Sequence, residues 1–259
     1  MKIHTRVPGI ALRGEMARLP LSLNRTFNII NYWLRIQKLN DNRLTKDAYK
    51  LQLKWVERDK QCWLKNVKNI LFTYGFAEVW FHQGVGDINV FKMLLKQRIS
   101  DIGIQNWQTE VNSMDRLKYY RIIKEQFQRE LYIDRLEPKD RSVIANFRCT
   151  GLSLRVLIGV YYEKIDYQAC LCELCEKEKN EHEYHFLLEC ATLTPLRKKH
   201  LCNYYWNPPT VNKYINLMNR SDFKGLSMVA NYLHDALTFR SEFRENRSNN
   251  TSQLMHVQN

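Results

Sequence analysis

Glycine and proline are scarce in this chain, nine and six among 259 residues. So few turn formers argue against a loop-rich, all-β architecture. Acid is short as well: 27 Asp and Glu face 40 Lys and Arg, a net charge of +13. No apolar run approaches the roughly 20 residues that a membrane helix needs. The opening MKIHTRVPGIALRG lacks the apolar stretch of a secretion signal. There is no phosphate-cradling glycine loop and no dinucleotide fingerprint. His82, His200 and His234 have no Ser, Cys or carboxylate at a telling spacing, so they predict no catalytic role. These absences lead to the expectation of a soluble intracellular protein, in nucleus or cytoplasm, with no membrane partner.

Hydrophobic residues at 44% and aromatics at 12% exclude a wholly disordered chain. The positive excess favours a polyanionic partner, RNA or DNA before any other. Seven cysteines is an odd number, and four of them crowd between 170 and 190. In a reducing compartment such crowding points to metal rather than disulfides.

Apolar residues recur every three or four positions almost throughout, which predicts a mainly α-helical fold. Leu23, Phe27, Ile30, Trp33 and Leu34 form one such stripe, with Ser22 as a candidate cap. Thr45 is placed to cap a second helix, Gly75 to end a third, and Asp87 to open a fourth. Pro138 suits the first turn of a helix through Phe147, and Thr194-Pro195 starts another. GLSMVANYLHDALTF predicts a strong final helix, while LRVLIGVYY, 154–162, is the one stretch that looks extended. The polar, aperiodic residues 242–259 predict a disordered tail. A soft boundary near Glu137-Pro138 divides a helical bundle-like part, 1–137, from a zinc-stapled helical module, 138–241.

The module rests on CELCEKEKNEHEYHFLLEC, 172–190. A C-x-x-C turn puts two thiolates on one side of an ion, and His185 with Cys190 supplies the second pair of a tetrahedron. Cys172, Cys175, His185 and Cys190 are the preferred ligands; Cys170 and His182 are available substitutes. His185 and Cys190 lie five apart, about 140° around an α-helix. An irregular turn or a bend is therefore needed for both to reach one ion. Four protein donors leave no open position, so the zinc is expected to be structural, not catalytic.

The same stretch carries six glutamates against two lysines, an unfavourable phosphate-binding surface. The basic residues lie outside it, at Arg141, Arg148 and Arg155 before, and at Arg197, Lys198 and Lys199 after. Further upstream, MDRLKYYRIIKEQFQRELY interleaves Lys118, Arg121 and Lys124 with Tyr119, Tyr120 and Phe127. Cations beside stacking rings are one way to hold a single strand. An amphipathic helix with buried rings fits the same pattern.

Taken together, GLSLRVLIGVYY, the C-x-x-C, the acidic stretch, E-x-H-F-L-L-x-C and PLRKK resemble the C-terminal region of reverse transcriptases from LINE-type (non-LTR) retrotransposons, jockey-like elements among them. GEMARLPLSLNRTFNIINYWLRI and the segment around Trp107 look like the part between polymerase and zinc module in such elements. The resemblance implies a parent RNA-directed DNA polymerase acting on element RNA and target DNA, with zinc on Cys172, Cys175, His185 and Cys190. An upstream reverse-transcriptase part is then a further possible partner. This chain departs from the pattern in having Gly159-Val160-Tyr161 where Gly-Arg-aromatic is common, and it has no aromatic-x-Asp-Asp for polymerase metals. It is therefore not expected to be an enzyme on its own. The rival expectations are a zinc-stapled protein-interaction scaffold and, more remotely, a hydrolase using the metal.

Overall fold

The computed structural model describes residues 2–175 and 177–256, with side chains to 247. The fold is mainly α-helical; among the described residues there is no β-strand, only the isolated bridges Leu171–Asn180 and Trp206–Pro209. No helix is long and apolar enough to cross a membrane, among the residues described.

The chain forms two compact units, one of Arg18–Gln108 and one of Met1–Ala17 with Thr109–Asn259. The division expected at 137 thus falls inside the second of these. Hydrophobic periodicity does not reveal that residues 1–17 fold with a partner more than a hundred residues away.

In the unit Arg18–Gln108, the helices Leu21–Gln37, Leu44–Glu57 and Trp63–Thr73 bury Ile30, Trp33, Leu34, Leu64, Val67 and Leu71. The predicted stripe is therefore core, with Leu23 and Phe27 half-buried against it. Ser22 and Thr45 do not cap; each lies one residue inside its helix. Gly75, at φ 79°, ends Trp63–Thr73. The Phe76 N–H reaches the Leu71 carbonyl (2.7 Å) and the Gly75 N–H reaches Phe72 (3.1 Å). This paired closure of a helix end needs the left-handed conformation that glycine adopts freely. Asp87 opens Ile88–Ser113 as expected, its carboxylate accepting from the Asn89 and Val90 N–H groups at 2.7 and 3.1 Å.

The other unit is built on Pro138–Arg148, Thr194–His200 and the long Phe223–His256, around Phe147, Phe186, Leu187, Leu193, Tyr232 and Leu233. Pro138 occupies its first turn, where a missing N–H costs nothing. The last helix also runs on through 242–256, where composition predicts disorder. Phe243 stacks on Phe239 one turn earlier and packs on the core, and Arg244 pairs with Glu173 at 3.1 Å, so the apolar face outlasts the polar look of the segment. Residues 257–259 of that expected tail lie outside the described residues.

The stretch 154–162 is not extended. It forms Arg155–Ile158 and then a π-turn, Gly159–Glu163. Glu181 decides this, because its carboxylate accepts the Arg155 N–H at 2.6 Å and its carbonyl the Val156 N–H at 3.2 Å. A distant acid satisfies the helix start that the local sequence leaves open. The same carboxylate is gripped by Arg240 at 2.7 and 2.6 Å.

Residues 1–17 are anchored through one buried charge. Glu15, on the helix Gly9–Met16, is fully buried and accepts from Arg148 Nε at 2.8 Å and from the Tyr132 hydroxyl at 2.7 Å. Arg148 also donates to the Met218 carbonyl at 2.7 Å and pairs with Glu130 at 3.3 Å, and Glu130 takes the Lys124 ammonium. Desolvation opposes the guanidinium charge, but Glu15 and Glu130 outweigh it and raise the Arg148 pKa. Removing one partner of such a network strands a buried charge, at about 3–5 kcal/mol. Arg148→Ala is predicted to destabilise this unit by that amount in urea unfolding, and Glu15→Leu combined with Arg148→Met to recover most of it. A loss below about 1 kcal/mol in Arg148→Ala, the level of exposed pairs, would contradict the anchoring role.

Candidate metal centre

Residues 166–175 and 177–190 form a knuckle followed by one helical turn. Asp166 caps the short turn Tyr167–Ala169 through the Gln168 N–H at 2.7 Å. The Cys172 N–H then donates to the Lys179 carbonyl (2.8 Å) and the Glu181 N–H to the Cys170 carbonyl (3.1 Å). These bonds close a loop that carries Cys172 and Cys175 inward. Beyond it, the Phe186 N–H meets the His182 carbonyl four residues back, but the Cys190 N–H meets that of His185, five back, at 2.8 Å. His185–Glu189 is a π-turn. The wider turn brings residues five apart onto one face, which an α-helix does not do. The spacing required an irregular turn, and this is its form.

The result is a cluster in which one donor atom each from Cys172, Cys175, His185 and Cys190 lies within 4.8 Å of all the others. Cys172 and Cys190 sulfurs are 3.9 Å apart, and Cys175 Sγ is 3.5 Å from His185 Nε2. Metal–sulfur bonds of about 2.3 Å and a metal–nitrogen bond of about 2.0–2.1 Å give tetrahedral edges of about 3.8 and 3.6 Å. These four residues can hold a metal ion. Three of them are buried and Cys175 is half-buried, so the cluster meets solvent on one side.

The neighbouring groups suit that task. His185 Nδ1 faces the Glu189 carboxylate at 3.4 Å, leaving Nε2 to the cluster, and Lys179 holds Glu189 from outside at 3.1 Å. Burial opposes the charge of Glu189, yet Lys179 and His185 bring its pKa below the ordinary value. Arg197, fully buried, donates to the Cys190 carbonyl and to Thr194 Oγ1. The hydrogen bond between the two sulfurs pushes Cys172 up to about 12 and lowers Cys190, as expected of two sulfurs sharing one proton. A cation bound by these sulfurs would take the place of that proton.

The two substitutes stand elsewhere. The Cys170 thiol donates to the Asp166 carbonyl (3.4 Å) and packs on Gly159, where a Cβ would lie 2.4 Å from the sulfur. His182 accepts the His185 N–H on Nδ1 at 3.1 Å and stacks on Tyr119 at 4.9 Å. Burial and the nearby His185 push its pKa down to about 4.

The basic candidates separate by burial. Lys124, Arg148 and Arg197 are 1–2% exposed and committed to protein partners, which corrects their expected place on a phosphate-binding surface. Tyr120 is likewise buried, its hydroxyl donating to the Ala11 carbonyl. Lys118, Lys198 and Lys199 are exposed, and Arg121, Arg141 and Arg155 half-buried. Among these, Lys199 pairs with Asp235 (2.8 Å) and Arg155 with Glu163 (2.6 Å). The acidic stretch is less exposed than its composition implies. Glu181 and Glu183 are buried, and burial pushes the Glu183 carboxyl up to about 7. Glu181 owes its role to partners far away in sequence, the Arg155 N–H and Arg240, and residue spacing carries no sign of them. No protein-family model, curated protein or solved structure matches the chain.

Cobalt(II) offered to the reduced protein is predicted to give the intense thiolate-to-cobalt absorption of a tetrahedral site. Those bands should vanish in Cys175→Ser/His185→Ala, persist in Cys170→Ser and in His182→Ala, and fade on acidification as protons displace the ion. Bands that survive the double substitution, or that Cys170→Ser removes, would replace this ligand assignment.

Proposed function

We propose that this chain is a nucleic-acid-binding protein whose Cys172–Cys175–His185–Cys190 site holds a structural zinc ion. Sulfur-rich, four-donor, tetrahedral chemistry is what zinc favours, and four protein ligands leave no position for a reacting water. On this reading the ion fixes the local fold and the chain carries no polymerase step by itself. Binding, to RNA or DNA in nucleus or cytoplasm, is its activity. The quoted motifs support placing it with the C-terminal part of LINE-type reverse transcriptases, working on element RNA or beside an upstream reverse-transcriptase part.

The observation that carries the proposal is the free positive charge. Between 18 and 108 the chain has 15 lysines and arginines against seven acids. Arg25, Arg35, Lys38, Lys54 and Arg58 there are exposed and outside any ion pair among the described residues. In the other unit Lys118 and Lys198 are exposed in the same way. Charge left unpaired on a surface is available to phosphates. A second reading, a protein-interaction scaffold, draws on large apolar residues left open in the unit Arg18–Gln108, Leu21 at 83%, Leu44 at 84% and Phe81 at 65% exposed.

Salt dependence separates the two. Affinity for a single-stranded RNA or DNA is predicted to fall at least about a hundredfold between about 50 and 200 mM salt, as contacts to several phosphates require. A nearly flat dependence, or no measurable affinity at low salt, would favour the scaffold.

A further inference from the structure

The first turns of Ile88–Ser113 carry more apolar surface than their own core uses. Phe91, Leu95 and Ile99 are buried, while Val90 and Leu94, one turn apart on another face, are 51% and 50% exposed. A helix with one buried face ordinarily turns polar residues outward. Here Val90 and Leu94 line a groove of about 710 Å³ between this helix and Ala77–Phe81. Phe76 and Phe91 meet edge to face at 5.2 Å in its wall, and Val79 extends the apolar lining. Built binding pockets span about 300–1,000 Å³, so the volume suits an occupant. A Cβ on Gly86, in the loop beside the groove, would meet no atom within 4 Å, so the groove is open there.

Charge around the groove is inverted relative to its surroundings. The unit Arg18–Gln108 has 15 lysines and arginines against seven acids, yet two of the acids and none of those cations line the groove, among the described residues. The two are Glu78, its side chain 83% exposed, and Asp87. Neither pairs with a lysine or arginine among the described residues. Glu78 meets the His82 ring at 3.8 Å, and Asp87 accepts from the N–H groups that open the helix. His82 turns its Nδ1 to the Glu78 carbonyl, at 2.8 Å.

That sign decides among occupants. Carboxylates repel the phosphates of a nucleic acid and the surface of an anionic membrane. A second copy joined by two-fold symmetry would set the groove against its twin and bring like charges together. No strand edge is offered among the described residues, so a partner cannot add here as a β-strand. A helix with large apolar residues three and four apart fits the groove, and cations beside them fit the carboxylates. We propose that this groove docks a basic amphipathic helix of a partner protein, its apolar face on Val90, Phe91 and Leu94 and its cations at Glu78 and Asp87. Docking there goes beyond nucleic-acid binding and does not depend on it.

The test uses the full chain and acetylated, amidated peptides of about 18 residues, long enough to hold a helix. One carries leucines at helical spacing and lysines elsewhere; an isomer of the same composition has its leucines scattered round the helix. In fluorescence anisotropy the first is expected to bind at least about tenfold more tightly than the isomer, although the chain's own +13 charge repels both. Val90→Ser/Leu94→Ser should lower that affinity about tenfold, and Glu78→Lys several-fold. These positions are exposed, so the urea-unfolding midpoint should not move. Leu44→Ser, at an exposed leucine outside the groove lining, should leave the affinity unchanged. Equal affinity for the two peptides, an affinity that Glu78→Lys leaves unchanged or raises, or an equal loss in Leu44→Ser overturns the inference. So does a wild-type dimer in sedimentation that Leu94→Ser converts to monomer, which would make a second copy the occupant. None of these outcomes touches the salt-dependent binding of oligonucleotides, which is measured without peptide.

Discussion

Three sulfurs and an imidazole nitrogen lie within 4.8 Å of one another in a segment that has almost no regular backbone pairing. This convergence is the constraint on which the surrounding structure depends. Thiolates held so close repel unless protons or a cation lie between them, and here the knuckle, the π-turn and the inward aim of Cys172 all serve to bring them together. Groups around the cluster hold it in turn. Arg197 ties the Cys190 carbonyl, and the Tyr232 hydroxyl ties the Phe186 carbonyl at 2.8 Å, linking the His185–Glu189 turn to the long last helix. Side chains from Thr194–His200 and Phe223–His256 therefore tie the cluster turn to the helical core.

A second constraint sets where the chain ends can go. Glu15 and Arg148 meet in a fully buried pair 133 residues apart in sequence, so residues 2–17 are part of the unit that carries the cysteine–histidine cluster although the whole of 18–108 intervenes. Two matched apolar side chains could fill the same space, so the pair's clearest structural effect is that it joins the helix Gly9–Met16 to Pro138–Arg148. Glu181 works similarly, capping Arg155–Ile158 while pairing with Arg240. Both acids convert a weak local preference into a defined element by supplying, from far away, the group the local backbone lacks.

Much of the helical framework was legible from residue order, because a helix that buries one face writes a three-and-four pattern. Leu23 to Leu34, Gly75, Asp87 and Pro138 are read correctly for that reason, and the convergence of Cys172, Cys175, His185 and Cys190 follows from a C-x-x-C with a nearby His and Cys, a pattern suited to holding a metal ion. Several misreadings come from long-range pairing. The strand-like Val156, Ile158 and Val160 become helix and π-turn because Glu181 caps them. Arg148, Lys124 and Arg197 look like surface cations until Glu15, Glu130 and the Cys190 carbonyl are found beside them. Cys170 resembles a ligand in sequence, but only its approach to Gly159 shows that it packs. The run 242–256 looks disordered because one phenylalanine, Phe243, and the pairing of Arg244 are too little to register as a periodic face.

A closed structural site is defined by the identity and completeness of the donor shell around a bound ion. X-ray absorption at the zinc edge of the reduced, purified protein measures it directly. The account predicts three sulfurs at about 2.3 Å and one nitrogen at about 2.0–2.1 Å, with no oxygen. A shell with an oxygen, fewer than three sulfurs, or no bound zinc would contradict a closed structural site.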